Sequence, residues 1–346
     1  MNQKNKDRLV TLIAQYEQLG IRNQIDYNKF YLYSIISHST AIEGSTVTEV
    51  EAQLLFDEGI TSSKRTLMEQ MMNVDLKAAY DFGTEWIKSQ EQLSVDSLVL
   101  LASKVMAHTG AEYHSIGGDF SSAKGELRKL NVTAGYGGKS YMSYLKVPEK
   151  LEHFCHELNE RRRNLNRSDV AAVYDLSFWA HYELVTIHPW ADGNGRMSRL
   201  LMNLLQMECG VVPTKVLKAD KAEYIQSLID TREKDDVEVF VNFMAAIHCD
   251  HLAQDIATFK ASMDDGTAGQ GGQKRWTEKV DRKGGQRTRD VILSMISEDG
   301  QVTSHKMAEA VGINRSAISK HLKKLHPIAF LAAAAVVGVV FRFAGV

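Results

Sequence analysis

The sequence predicts a mainly α-helical protein, with one short glycine-flanked hairpin inside the helical body and a small helix-turn-helix module after it. Three observations carry this. Apolar residues recur at helical spacing over most of residues 1–260. Only four prolines (Pro148, Pro189, Pro213 and Pro327) interrupt 346 residues, and proline is the strongest breaker of a helix interior. Six glycines crowd into residues 115–140, where the helical pattern stops.

The elements follow in order. Val10, Ile13 and Ala14 begin a first amphipathic helix that ends near Gly20. Phe30, Tyr33, Ile36 and Ile42 mark a second, and Leu76, Ala79, Tyr80 and Phe82 a third. Leu98, Leu101, Ala102, Val105 and Met106 mark a fourth, with Gly110 as its expected C-terminal glycine. In the glycine-rich stretch, Leu127, Lys129 and Asn131 to Thr133 are expected to be extended and to form a flap. Helices resume over Glu149–Asn164. Asp169 then caps an apolar helix through Val185, and another runs from Asn194 to Glu208 and stops at Gly210 and Pro213. Glu223–Asp230 and Val237–Phe259 complete the body.

Composition bounds the rest. Hydrophobic residues make up 44% and charged residues 24%, which fits a folded chain of about two domains at roughly 150 residues each. With 41 Lys+Arg against 43 Asp+Glu the net charge is −2, which excludes a uniformly basic nucleic-acid coat but not a local patch. Cys155, Cys209 and Cys249 are too widely spaced for a disulfide framework, so a cytoplasmic setting is expected. The polar start, Met1 to Lys6, does not read as a secretion signal. His153, Cys155 and His156 lack a second ligand pair and do not read as a metal site.

The chemistry concentrates in residues 188–199, His-Pro-Trp-Ala-Asp-Gly-Asn-Gly-Arg-Met-Ser-Arg. An apolar helix delivers His188 at its end, and Pro189 breaks it. Gly193, Asn194 and Gly195 make a turn that opens the next helix. Loop amides followed by a helix N-terminus form an anion site, because the N–H groups and the helix dipole point the same way. Arg196 and Arg199 stand three residues apart on the first turn, and guanidinium forks suit phosphate oxygens. Asp192 is a hard oxygen ligand suited to Mg²⁺ beside a phosphate. His188 can take a proton near neutral pH. The pattern points to phosphoryl or nucleotidyl transfer. Gly137-Gly138-Lys139-Ser140 matches only the end of a Walker-type loop, since Thr133 stands where that loop needs glycine.

His188 to Arg199 resembles the signature of Fic-domain proteins, H-x-F-x-D/E-G-N-G-R-x-x-R, departing from it only at Trp190. The resemblance implies an α-helical Fic fold and transfer of AMP from ATP to a hydroxyl of a target protein. It makes His188 the base, Asp192 the Mg²⁺ ligand, and Gly193, Asn194, Gly195, Arg196, Met197, Ser198 and Arg199 the phosphate-binding run. The flap, with Gly125-Glu126-Leu127-Arg128 and Asn131 to Gly135, is similar to the family's target-docking hairpin. It would bring Ala134, Gly135, Tyr136 and Gly137 near the nucleotide. Ser39-Thr-Ala-Ile-Glu43-Gly44 resembles the family's inhibitory motif S/T-x-x-x-E-G/N, with Glu43 expected to pair with Arg199. In some relatives that glutamate also supports removal of AMP. Tyr224 resembles a position near the adenine, although a core tyrosine is an equal reading. Self-modification and a homodimer are further expectations from the family.

After a linker at 261–286, residues 287–346 are expected to form a winged-helix-like module. Thr288–Ile296, Ser304–Ala310 and Arg315–Leu325 read as three helices, with Gly312 in the turn. Residues 273–325 hold twelve Lys/Arg against six Asp/Glu, so DNA contact through 287–325 is expected on an even footing with protein docking. An apolar tail, 327–346, replaces the usual wing, and its uninterrupted apolar run is too short to favour a membrane span. The corresponding domain reading is 1–110 for the N-terminal helices and 111–260 for the core with flap and active site. The alternative function is a nucleotide-sensing transcriptional regulator.

Overall fold

The computed structural model describes residues 1–264 apart from Gln90 and residues 135–139. The expectations for the linker, the helix-turn-helix module and the tail lie outside the described residues. The described residues fall in one compact unit.

Ten α-helices build the described body. The first is α1 (Gln3–Gln18), closed by Gly20 in the left-handed region, followed by α2 (Tyr27–Ile42), after which Gly44 turns the chain at φ +105°. Next comes α3 (Glu49–Glu58), which apolar periodicity did not predict. Its sequence signal is a capping box: Thr48 accepts from the Glu51 amide while the Glu51 carboxylate accepts from the Thr48 amide. The same device at Thr66 and Glu69 opens α4 (Leu67–Lys88), and Ser94 caps α5 (Val95–Val105). Then follow α6 (Val147–Asn164), α7 (Val170–Ile187, capped by Asp169), α8 (Asn194–Glu208), α9 (Lys221–Lys234) and α10 (Val237–Asp264). The last runs into the stretch expected as linker from 261.

The centre is α7, apolar almost all round and therefore buried on nearly every side. It packs along α8, with α4 on the far side of α8 and α10 and α6 against α7. One hydrophobic core continues across residue 110, from Leu9 and Tyr80 to Leu252. Among the described residues no helix is long and apolar enough to cross a membrane, and all three cysteines are free.

Two expectations about loops are corrected. Gly110 does not end α5, which stops at Val105. A Cβ on Gly110 would stand 2.3 Å from the Ala123 backbone nitrogen, so glycine is there to let two chain segments touch. The glycine-rich stretch is not one hairpin either. A two-stranded antiparallel ribbon forms first, β1 (Glu112–Tyr113) with β2 (Phe120–Ser121). The second ribbon begins only at Val132: Thr133 bridges Ser140, and the Tyr141 amide donates to the Val132 carbonyl at 3.0 Å. Between them Leu127 and Lys129 form no strand, and Arg128 is buried, 1% exposed.

Candidate active site

The end of α7 and the start of α8 meet at a built corner. His188 caps α7 in the left-handed conformation, φ 52° and ψ 62°, which costs a residue with a Cβ about 1–2 kcal/mol. Neighbours hold it there. The Arg128 amide donates to the Pro189 carbonyl at 2.9 Å and its Nε to the His188 carbonyl at 2.8 Å. The other two guanidinium nitrogens of Arg128 reach the Leu130 and Met142 carbonyls at 2.8 and 2.7 Å. One buried side chain thus ties the base of the flap to the backbone of the histidine.

The imidazole is fixed as well. His188 Nδ1 lies 3.2 Å from the Val185 carbonyl, which can only accept, so the proton sits on Nδ1 and Nε2 keeps its lone pair. Tyr141 stacks on the ring at 3.8 Å with a 17° interplanar angle. Burial, aided by the charges of Arg128 and Arg232 and opposed by the Val185 bond and Asp192, takes the imidazole down to about 4. The ring is therefore neutral at physiological pH and able to accept a proton.

The loop after it opens α8. Asn194 bonds twice to Trp190, Oδ1 accepting from its amide at 3.1 Å and Nδ2 donating to its carbonyl at 2.8 Å. Gly193 turns at φ 82°. The first amide of α8 to find a carbonyl is Met197, on Gly193 at 2.9 Å. The amides of Asn194, Gly195 and Arg196 have no hydrogen-bond partner among the described residues. Three free N–H groups at the positive end of a helix form an anion cup.

The two arginines of that turn anchor different helix ends. Arg196, 2% exposed, reaches the Val105 carbonyl, Thr109 and the Met106 sulfur at the end of α5, and stands 3.7 Å from the Asp192 carboxylate. Arg199, 3% exposed, reaches the end of α2: Nε donates to Ser39 Oγ at 2.8 Å, and Nη2 to the Ser39 carbonyl at 3.0 Å and to Glu43 at 2.6 Å. Burial works against the Glu43 carboxylate, but Arg199, Arg196 and Lys221 outweigh it and hold its pKa below the usual value. A Cβ on residue 195 would stand 2.4 Å from Glu43 Oε1, so the glycine is what lets this carboxylate reach the turn.

Residues 92–206 match the Fic/DOC family, an interval that holds the flap, Arg128, His188 and the anion cup. That region of the chain is similar to Fic domains. Protein adenylyltransferase fic-1 of Caenorhabditis briggsae is 27% identical over 220 residues, covering 62% of this chain and 39% of its own. This chain thus spans about two fifths of that relative's length. The fold is shared with Fic-1 (residues 134–508) of C. elegans, TM-score 0.58 at 23% identity, over 75% of this chain and 73% of that one. It is shared too with a Fic domain containing signaling protein of Bacteroides thetaiotaomicron, TM-score 0.59 at 20% identity, over 73% and 97%. Residues 287–327 match the bacterial regulatory protein arsR family.

Most of the residues expected from sequence converge. His188, Asp192, the turn 193–195, Arg196 and Arg199 surround the start of α8, and Ser39 and Glu43 reach it from α2. Met197 and Ser198 separate from the rest: both side chains are buried, 1% and 0% exposed, on the core side of the helix. Tyr224 is 1% exposed, and its hydroxyl meets His181 Nε2 at 2.9 Å and Arg199 at 3.5 Å. It stands behind Arg199, inside the core. Ala134 is exposed on the flap, while Gly135, Tyr136 and Gly137 lie outside the described residues.

Sequence reasoning missed the packing of Arg128, Tyr141 and Arg232 around the histidine. Spacing cannot bring residues 128, 141, 188 and 232 together. Trp190 carries a testable detail. Its Nε1 donates to the Gly125 carbonyl at 2.8 Å from a 1% exposed ring, which the family's usual Phe could not do. Trp190→Phe is expected to lower stability by about 1–3 kcal/mol, by leaving that carbonyl unpaired. Urea unfolding measures it, and an unchanged midpoint contradicts the assignment.

Proposed function

We propose that this protein transfers AMP from ATP to a hydroxyl side chain of a target protein, and that Glu43 holds the activity in check. The observation that carries the reading is the row of three unpaired amides opening α8, flanked by two buried guanidinium groups and approached by a neutral imidazole. The adenylyltransferase names of the relatives support the same chemistry.

In this reading Gly193 makes the turn, and the free amides of Asn194, Gly195 and Arg196 cradle the polyphosphate. Arg196 and Arg199 hold its far phosphates. Met197 and Ser198 serve as the turn behind the cup, and Tyr224 acts through Arg199. Ala134, exposed on the flap, borders the nucleotide. The target lies along the flap and pairs with it as an added strand, which asks little of its sequence. His188 Nε2 takes the proton from the target hydroxyl as that oxygen bonds to the α-phosphorus. The bond to the bridging oxygen breaks and pyrophosphate leaves. The product is a phosphodiester on the target or, in self-modification, on this chain.

Asp192 fits a Mg²⁺ ion. Its carboxylate is 60% exposed, and one oxygen accepts from the Gly193 amide. A single carboxylate beside a phosphate site is the usual protein share of a Mg²⁺ shell. The ion would neutralise phosphate charge.

Glu43 is a carboxylate already seated at the anion cup, on the arginine that a terminal phosphate would use. It thereby excludes the productive pose of ATP, and the same group could activate water for AMP removal. The setting is taken as cytoplasmic, with a homodimer as the family's usual assembly.

The arsR-family match favours a second reading, in which the Fic domain senses nucleotide for a DNA-binding module. Labelled ATP separates the two. Label moving from the α position to protein supports AMP transfer. Label moving only from the γ position indicates a kinase, and binding without transfer indicates a sensor.

A further inference from the structure

We propose that Tyr141 is a positioning residue for His188, coupling the target-docking flap to the orientation of the imidazole. The inference rests on the reading of His188 as the base.

Tyr141 belongs to the second limb of the flap. Its amide bonds to Val132 across the ribbon, so pairing of the two limbs decides where its ring lies. That ring lies flat on His188, centroids 3.8 Å apart. The Arg232 guanidinium, carried by α9, stands over the same phenol at 4.9 Å. Aromatic stacking of this kind contributes about 0.5–1.5 kcal/mol beyond the area it buries, and a cation over a ring adds a comparable amount. Among the described residues the imidazole has one hydrogen bond to hold it, from Nδ1 to Val185, at a length of 3.2 Å. A single long bond fixes a direction but lets the ring rock about it. The flat contact with Tyr141 removes that freedom and keeps Nε2 aimed.

The surroundings of the histidine make the role specific. From the flap it faces Tyr141 and Arg128, from α9 Arg232, from the phosphate turn Asp192, and from α7 the Val185 carbonyl. Arg128 grips the backbone of residues 188 and 189, whereas Tyr141 touches the ring that takes the proton. A target strand added to the flap would lie along the ribbon that carries Tyr141, so the surface that docks the target and the contact that holds the imidazole share one element.

The test uses the full chain carrying Glu43→Gly with Mg²⁺ and α-labelled ATP. Tyr141→Ala should lower the transfer rate at saturating ATP about tenfold or more, with affinity for ATP unchanged. Tyr141→Phe, which keeps the ring, should restore the rate to within about threefold. A second readout does not need activity: ¹⁵N shifts of the His188 imidazole. These should report one Nδ1-protonated tautomer with Tyr or Phe at 141, and an averaged or broadened pattern with Ala. Equal rates for the Ala and Phe variants, or a His188 spectrum indifferent to all three residues, overturn the proposal. If the Glu43→Gly chain transfers no label at all, the reading of the enzyme fails, and the ¹⁵N spectra still decide whether Tyr141 orients the ring.

Discussion

Glu43→Gly is expected to speed AMP transfer onto protein about ten- to a hundredfold. The estimate follows from what the carboxylate does. It makes a charge-assisted bond to Arg199 at 2.6 Å, with the guanidinium 3% exposed and the Glu43 side chain 34% exposed. Such a bond is worth about 1.5–3 kcal/mol net, and each 1.4 kcal/mol is a factor of ten in the competition between carboxylate and phosphate. Removal does not leave Arg199 stranded, since the Ser39 hydroxyl, the Ser39 carbonyl and the Tyr224 hydroxyl remain on it. The site therefore keeps its shape and loses only its resident anion. A buried cation without its counter-charge is still costly, so the variant should melt lower than the parent without nucleotide. ATP should then raise its melting temperature by more than it raises the parent's. Acid gives the same sign. The pairing lowers the Glu43 pKa, so the brake holds throughout the neutral range and loosens only as pH falls through that depressed value. Scintillation counting of protein after incubation with α-labelled ATP decides the matter. Equal labelling of variant and parent would remove Glu43 from the mechanism.

Much of this arrangement is legible in the residues. Residues 188–199 are contiguous, and a helix end, a breaker and a glycine turn leave little freedom in how they fold. Ser39 and Glu43 are four apart on one helix, so their shared face is fixed by helical geometry. The Asp169 cap gave the start of α7 closely, and the glycine turn gave that of α8. What could not be read is whatever depends on chain segments meeting. The partner of Glu43 lies 156 residues away, and only the family likeness supplied it. The sequence places Arg128 only in the segment that resembles the docking hairpin. Arg128 is buried because three carbonyls converge on it, a geometry no local pattern encodes. Tyr224 shows the converse: a tyrosine on an amphipathic helix read equally as core or ligand contact, and only its bonds to His181 and Arg199 place it behind the arginine. Helix α3 was missed for another reason. Its hydrophobic stripe is weak, and its capping box is its strongest signal.

His188→Ala, made in the Glu43→Gly chain, is expected to cut the transfer rate by a factor of about 10²–10⁴, the usual share of a positioned general base. Binding of ATP should survive. The free amides of Asn194, Gly195 and Arg196 belong to α8, and Arg196 and Arg199 are anchored on α5 and α2, so none of them depends on the imidazole. A fall in rate with unchanged nucleotide affinity separates a base from a structural prop, which would weaken both. The pH profile adds a sign that only a neutral, buried histidine gives. A free imidazole loses half its basic form at 6.5, whereas burial takes His188 down to about 4. Between those values an exposed histidine would already be protonated and idle, and His188 would still accept the target's proton. The acid limb of the rate should therefore lie near 4 and not near 6.5. An inflection near 6.5 in the Glu43→Gly chain, or a substantial rate left in the alanine variant, would assign the proton transfer to another group.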